Sequence, residues 1–191
     1  MAIPLHTIRC ACWLLLLALA GCASPARRYV DQTMDFGAVR TVAVMPFHNL
    51  SRDNLAAERV RDVFSSMLLA TSSIYVLPSG EVQRAIALSN LQGPATPSTE
   101  DVLKIGKTLK ADAVITGVVK EYGEVRSGTT SANIVSLSLQ MHETATGKVV
   151  WSASTTQGGV TMGDRLLGSS GEPMNRVTEA AVDDLLAKLF R

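Results

Sequence analysis

The sequence predicts an α/β fold, a single-domain α/β sandwich built on one mixed sheet, and three observations carry that expectation. In the first half of the chain, apolar runs of strand length alternate with helical patterns, as βαβ units require. In the second half, three strand-like segments follow one another with no helix between them. A last amphipathic helix closes the chain. The expected order is βαβαα, three strands, then α, with a sheet that is parallel at its start and antiparallel in its second half.

Thr41-Val42-Ala43-Val44-Met45-Pro46-Phe47 is a nearly continuous apolar run ended by proline, the pattern of a central strand buried on both faces. Asn49, Ser51, Asp53 and Asn54 make a polar loop with several candidate N-caps. Ala56, Val60, Val63, Phe64, Met67 and Leu68 then fall on one face of a helix. Ile74-Tyr75-Val76-Leu77 is a short strand stopped by Pro78-Ser79-Gly80, and residues 81–90 resume a helical pattern through Val82, Ile86 and Leu91. Ser98 and Asp101 have the S-x-x-D spacing of a capping box. They start a helix to about Lys110 with Val102, Ile105 and Leu109 inward.

Residues 113–119 form another apolar strand, and residues 123–132 are expected to be a polar loop. A clean alternation follows, with Val135, Leu137, Leu139 and Met141 on one side and Ser136, Ser138, Gln140 and His142 on the other. One face of this strand is therefore wet or meets a partner. Thr144-Ala145-Thr146-Gly147 reads as a hairpin turn with Gly147 at positive φ, and residues 148–156 return. Residues 157–171 are glycine-rich and irregular. Pro173 starts the last helix, whose stripe is Met174, Val177, Ala181, Leu185, Leu186 and Leu189.

The N-terminus has the order of a secretory signal: Arg9, an apolar run over residues 11–20, then small residues. That run is too short to span a bilayer, which takes about 20 apolar residues. Leu19-Ala20-Gly21-Cys22 resembles the lipobox of bacterial lipoproteins. The resemblance implies cleavage between Gly21 and Cys22 and acylation of Cys22. Ala23, rather than Asp, after the cysteine implies passage to the outer membrane, with the domain on the periplasmic face. An ordinary secreted protein, cut at the A-x-A-like site of Ala18 and Ala20, is the alternative. Two or more acyl chains anchor stably, at about 0.8 kcal/mol per buried CH₂. The expected division is a signal peptide over residues 1–21, a lipidated tether over 22–39 and a periplasmic domain over 40–191.

Cys10 and Cys12 leave with such a signal and Cys22 is the lipid site, so no disulfide forms and packing alone stabilises the domain. Lys plus Arg number 18 and Asp plus Glu 17, and loss of Arg9 balances the side chains. A neutral surface offers a polyanion nothing, which excludes nucleic acid as a partner and leaves self-association easy.

Three segments resemble, in order, the CsgG-like group of outer-membrane lipoproteins with its relatives LpoB, PelC and the amino-terminal domain of TolB. They are Val42-Ala43-Val44-Met45-Pro46-Phe47-His48-Asn49-Leu50-Ser51, Ala111-Asp112-Ala113-Val114-Ile115-Thr116-Gly117 and Thr146-Gly147-Lys148-Val149-Val150-Trp151-Ser152. The resemblance implies a fold like the anticodon-binding domain, no catalysis, and assembly into rings or docking on another envelope protein. A CsgG-like pore needs two hairpins of membrane-spanning strands, each strand roughly 9–11 alternating residues. The chain has no room for them. The tether is also shorter than the linker with which LpoB-like activators cross the cell wall.

Candidate chemistry is sparse. Gly163-Asp164-Arg165-Leu166-Leu167-Gly168-Ser169-Ser170 imitates a phosphate-binding loop, but Ser169 replaces the lysine and Asp164 puts a negative charge in the cradle. His48 and His142 lack metal-ligand spacing, so neither metal nor cofactor is expected. No nucleophile motif is present, and the chain is read as not an enzyme. Trp151 is expected in the core, with a lipid interface as the alternative. The surfaces expected to meet partners are residues 134–142, with Ser136, Ser138, Gln140 and His142, and the loops 123–132 and 157–171, the latter with Asp164, Arg165, Leu166 and Leu167. Trp151 joins them if exposed. The function expected is a lipid-anchored, non-enzymatic accessory component of an envelope export or biogenesis complex. The alternative is an activator of a peptidoglycan synthase.

Overall fold

A computed structural model of the chain describes residues 28–128, 130–160 and 171–190. Gly21, Cys22, Asp164, Arg165, Leu166 and Leu167 lie outside the described residues. Seven strands form one sheet: β1 Arg28–Val30, β2 Thr41–Val44, β3 His48–Asn49, β4 Tyr75–Val76, β5 Ala113–Ser127, β6 Thr130–Glu143 and β7 Val149–Gly158. The helices are α1 Ala56–Ala70, α2 Ser79–Leu88, α3 Thr99–Leu109 and α4 Met174–Leu189. The spatial order is β1-β7-β6-β5-β2-β4, with β3 also on β5. Strand β2 runs parallel to β4 and β5, whereas β5, β6 and β7 are antiparallel, the mixed sheet expected.

The two faces of the sheet carry separate cores because strand residues alternate. Val42 and Val44 join Phe64, Leu68, Leu137, Leu139, Trp151 and Leu185 beneath α1 and α4. Ala43 and Met45 point the other way, into a smaller cluster with Val82, Ile86, Val102, Ile105 and Val114 beneath α2 and α3. Helix α3 begins at the expected capping box: Ser98 Oγ accepts from the Asp101 N–H, and the Asp101 carboxylate accepts from the Ser98 N–H. The candidate N-caps before α1 act differently. Asn49 Oδ1 accepts from Ser51, and Asp53 Oδ1 accepts from the Leu55 N–H, so both side chains shape the loop rather than the first helical turn.

Two local expectations are corrected. Residues 123–132 are not a loop: β5 and β6 continue through them in register to the pair Ser127↔Thr130. Polar composition concealed a strand pair because only its base, at Tyr122 and Ala132, is packed. Neither face of residues 121–127 is apolar, with Tyr122, Glu124 and Arg126 on one side and Glu121, Gly123, Val125 and Ser127 on the other, which is not the lipid-facing band of a membrane strand. Residues 28–39, placed with the tether for their unpatterned sequence, contain β1, which pairs antiparallel with β7, and a 3-10 turn at Phe36–Ala38. A three-residue edge strand is too short to leave a periodic signature.

Candidate interaction surfaces

Because α2 and α3 pack on β2 and the start of β5, none of the described helices covers the same face of β6 and β7. The cross-strand register places Tyr29, Ser152, Gln140 and Thr116 in one row, and Ser154, Ser138 and Val118 in the next. Ser136, Ser138, Gln140 and His142 share this face as the alternation predicted, while Val135, Leu137, Leu139 and Met141 are buried on the other. A pocket of about 360 Å³ opens here between Thr116, Ser138, Gln140, His142 and Ser152 and the loop of Ala95, Thr96 and Pro97. Hydroxyls, the Gln140 amide and the His142 imidazole line it beside the apolar Ala95, Pro97 and Val118, without an acidic, lysine or arginine side chain.

His142 is half-buried rather than exposed, and its Nε2 lies 3.2 Å from Thr116 Oγ1. Desolvation holds the imidazole below its usual pKa of 6.5, against a backbone hydrogen bond at Gly147 that acts the other way. Among the described residues, no group of three or more His, Cys, Asp or Glu side chains is placed to hold a metal.

The second surface is the arm that β5 and β6 make beyond the rest of the sheet. Strand β7 leaves β6 at Ile134↔Gly158, and β3 leaves β5 at Asn49↔Val119, with one further bond from the Leu50 N–H to Val119. Past those points the outward edges of the arm carry no ladder partner among the described residues. Such edges are templates for another chain. A cleft of about 670 Å³ lies at the base of the arm against the loop Leu50, Ser51, Arg52 and Asp53. Sequence reasoning missed the arm and retained its location as a candidate contact.

Trp151 is only 1% exposed, and its Nε1 donates to the Lys188 carbonyl at 3.3 Å, so it belongs to the core and presents no surface for docking. Asp112, which lies in one of the segments carrying the resemblance, has a structural explanation. Its Oδ2 accepts from the backbone N–H groups of both Arg40 and Thr41 at 2.9 Å, fastening the start of β2 to β5.

The family described as peptidoglycan-synthase activator LpoB matches residues 23–156. A comparison with curated protein sequences returns no match. Among solved structures, the PelC L103M dodecamer from Paraburkholderia phytofirmans is similar at a TM-score of 0.57 and 16% identity, covering 86% of this chain and 96% of that one. Lipoprotein GNA1162 from Neisseria meningitidis gives 0.55 and 21%, covering 78% and 99%. The LpoB C-terminal domain from Escherichia coli gives 0.50 and 15%, covering 68% and 88%. The LpoB and PelC part of the resemblance is thus supported, and the CsgG and TolB part is not. With a match over more than half its length, the chain belongs to the LpoB family of peptidoglycan-synthase activators.

Proposed function

We propose that this chain is a non-catalytic, lipid-anchored periplasmic protein that activates a peptidoglycan synthase by binding it. The family match over residues 23–156 carries this reading. It reverses the preference drawn from the sequence, where export or assembly came first and activation second. The signal over residues 1–21, acylation of Cys22 and an outer-membrane location are part of the proposal. The contact surface is the uncharged face of Ser136, Ser138 and Gln140 together with the arm, which none of the described helices covers.

The test is polymerisation of glycan by a purified penicillin-binding synthase with and without the lipidated protein. Stimulation, with direct binding, is expected. Ser138→Arg, which sets a charge on the open face without touching either core, should keep the fold by circular dichroism and lose stimulation. Polymerisation unchanged by saturating protein would sink the proposal.

The tether length favours a second reading, assembly of copies within an envelope complex. Arg28 stands only six residues beyond Cys22, at most roughly 3.5 Å each, so the domain cannot leave its membrane by more than about 20 Å. An activator so held requires its synthase to do the reaching. Sedimentation of the lipidated protein in detergent distinguishes a monomer from a ring.

A further inference from the structure

A trough runs between β1, the 3-10 turn and the last turn of α4, about 570 Å³ on one side of Phe36 and about 300 Å³ on the other. Val30, Phe36, Leu189 and Phe190 give it apolar walls, with Phe190 46% exposed, and Trp151 lies at its floor. The charged side chains that line it are Arg28, Arg40 and Lys188, and none of the lining residues is acidic. The cleft at the base of the arm differs, for there Arg52 and Lys120 stand beside Asp53, Glu121 and Glu124. Lys188 is paired with Asp184, so Arg28 and Arg40 are the cations this apolar end offers in a chain whose charges otherwise balance.

That end is also where the N-terminal segment attaches. Arg28, the first described residue, lines the trough and donates from Nη1 to the Lys188 carbonyl at 3.2 Å. The hairpin turn joining β5 to β6 lies at the opposite end of the sheet, because Met141 and Arg40 line the trough while Ser127↔Thr130 closes the arm. We propose that the trough is a membrane-docking surface. Phe36 and Phe190 sit at the headgroup level of the lipid, Arg28 and Arg40 sit against lipid phosphates, and the arm points away from the bilayer. Aromatic and basic side chains around an apolar patch are what the interface accepts, and anionic lipid adds attraction for each cation. The inference rests on acylation of Cys22, whose six-residue reach brings this end, rather than the arm, to the lipid.

Trp151 is the reporter, since the other tryptophan, Trp13, lies in the proposed signal. The lipidated protein is reconstituted in vesicles of phosphatidylcholine and phosphatidylglycerol whose acyl chains carry bromine, and its mass is measured first. A roughly twofold loss of Trp151 emission relative to unbrominated vesicles is expected, because the buried indole lies at the floor of the trough that the lipid covers. The double substitution Arg40→Glu and Phe190→Ser alters two exposed side chains and should restore the emission while circular dichroism and acylation stay unchanged. Unquenched emission from an acylated chain overturns the docking surface and leaves the anchor intact, as does equal quenching of the double variant. A chain without acyl groups overturns both, since only the acylated tether brings the trough to lipid.

Discussion

Arg61 donates to the carbonyl oxygen of Val44 through both Nε and Nη2, at 3.1 and 2.7 Å, from a position only 8% exposed. The guanidinium replaces a missing strand. On the same edge of β2 the carbonyls of Arg40 and Val42 accept from the N–H groups of Tyr75 and Leu77, and then the neighbouring strand turns away. Burial lowers the pKa of Arg61, and nearby Asp62 and Glu58 oppose that shift.

Removing Arg61 should therefore leave the buried Val44 carbonyl without this donor. We expect Arg61→Ala to destabilise by about 3 kcal/mol, through a lost charge-assisted bond and lost packing of the stem. Arg61→Met keeps most of the stem and avoids the desolvated charge, so its loss should be about 1 kcal/mol. Urea unfolding of the two variants measures the stem's share as their difference, and no loss in either variant would refute the strand-replacement account.

His142 makes stability depend on pH near neutrality. Its folded pKa lies below the ordinary value of 6.5, so between the two values the unfolded chain binds more protons and stability rises with pH. The contribution is complete above about 6.5, shrinks as pH falls through that value, and levels off below the folded pKa. The midpoint in urea should thus drop between pH 7.5 and pH 5.5, each about one pH unit to either side of the ordinary value. His142→Gln, which retains a partner for Thr116, should flatten that step. A step of the same size in the variant would assign it elsewhere.

Asp112 ties the first crossover together, and both of its accepted bonds come from backbone N–H groups at the start of β2. Asp112→Ala should cost about 1–2 kcal/mol, whereas Asp112→Asn, whose amide oxygen still accepts, should cost about half that. Chemical denaturation is again the measurement. No loss in the alanine variant would show that water replaces the carboxylate without penalty.

The parts of the fold that rest on burial were legible in the residues. The run over residues 41–47, the stripe from Ala56 to Leu68 and the alternation from Val135 to Met141 each report a buried surface, and all three elements formed as expected. The Ser98 and Asp101 pair was legible because its chemistry is local. The arm and β1 were not, since backbone pairing holds them and any polar sequence can supply it. Arg61 was hidden for a related reason. A charged residue within a helical stripe looks like solvent-facing decoration until the end of β4 leaves the Val44 carbonyl needing a donor. Among the candidate contact residues, the side of the strand that carries Ser136, Ser138 and Gln140 was readable, but that none of the described helices covers it is a tertiary fact.

Two glycines should respond in opposite directions to the same substitution. Gly158 has φ +81°, and a Cβ there would lie 2.1 Å from the carbonyl oxygen of Asn133. This close approach lets the following N–H, of Gly159, donate to that same oxygen at 2.8 Å where β7 leaves the base of the arm. Gly158→Ala should cost about 3 kcal/mol or more, because left-handed backbone strain adds to a clash with backbone that no rotamer relieves. Gly80, in the first turn of α2, has nothing within 4 Å of the position an alanine methyl would take and no positive φ, so Gly80→Ala should stabilise by about 0.5–1 kcal/mol, mainly by restricting the unfolded chain. Amide exchange separates the two mechanisms. In Gly158→Ala, protection should fall first at residues 130–135, where the arm loses its support, whereas Gly80→Ala should slow exchange only in proportion to global stability. Uniform loss across the sheet in the Gly158 variant would mean that the arm unfolds together with the core rather than as a unit hinged at Asn133.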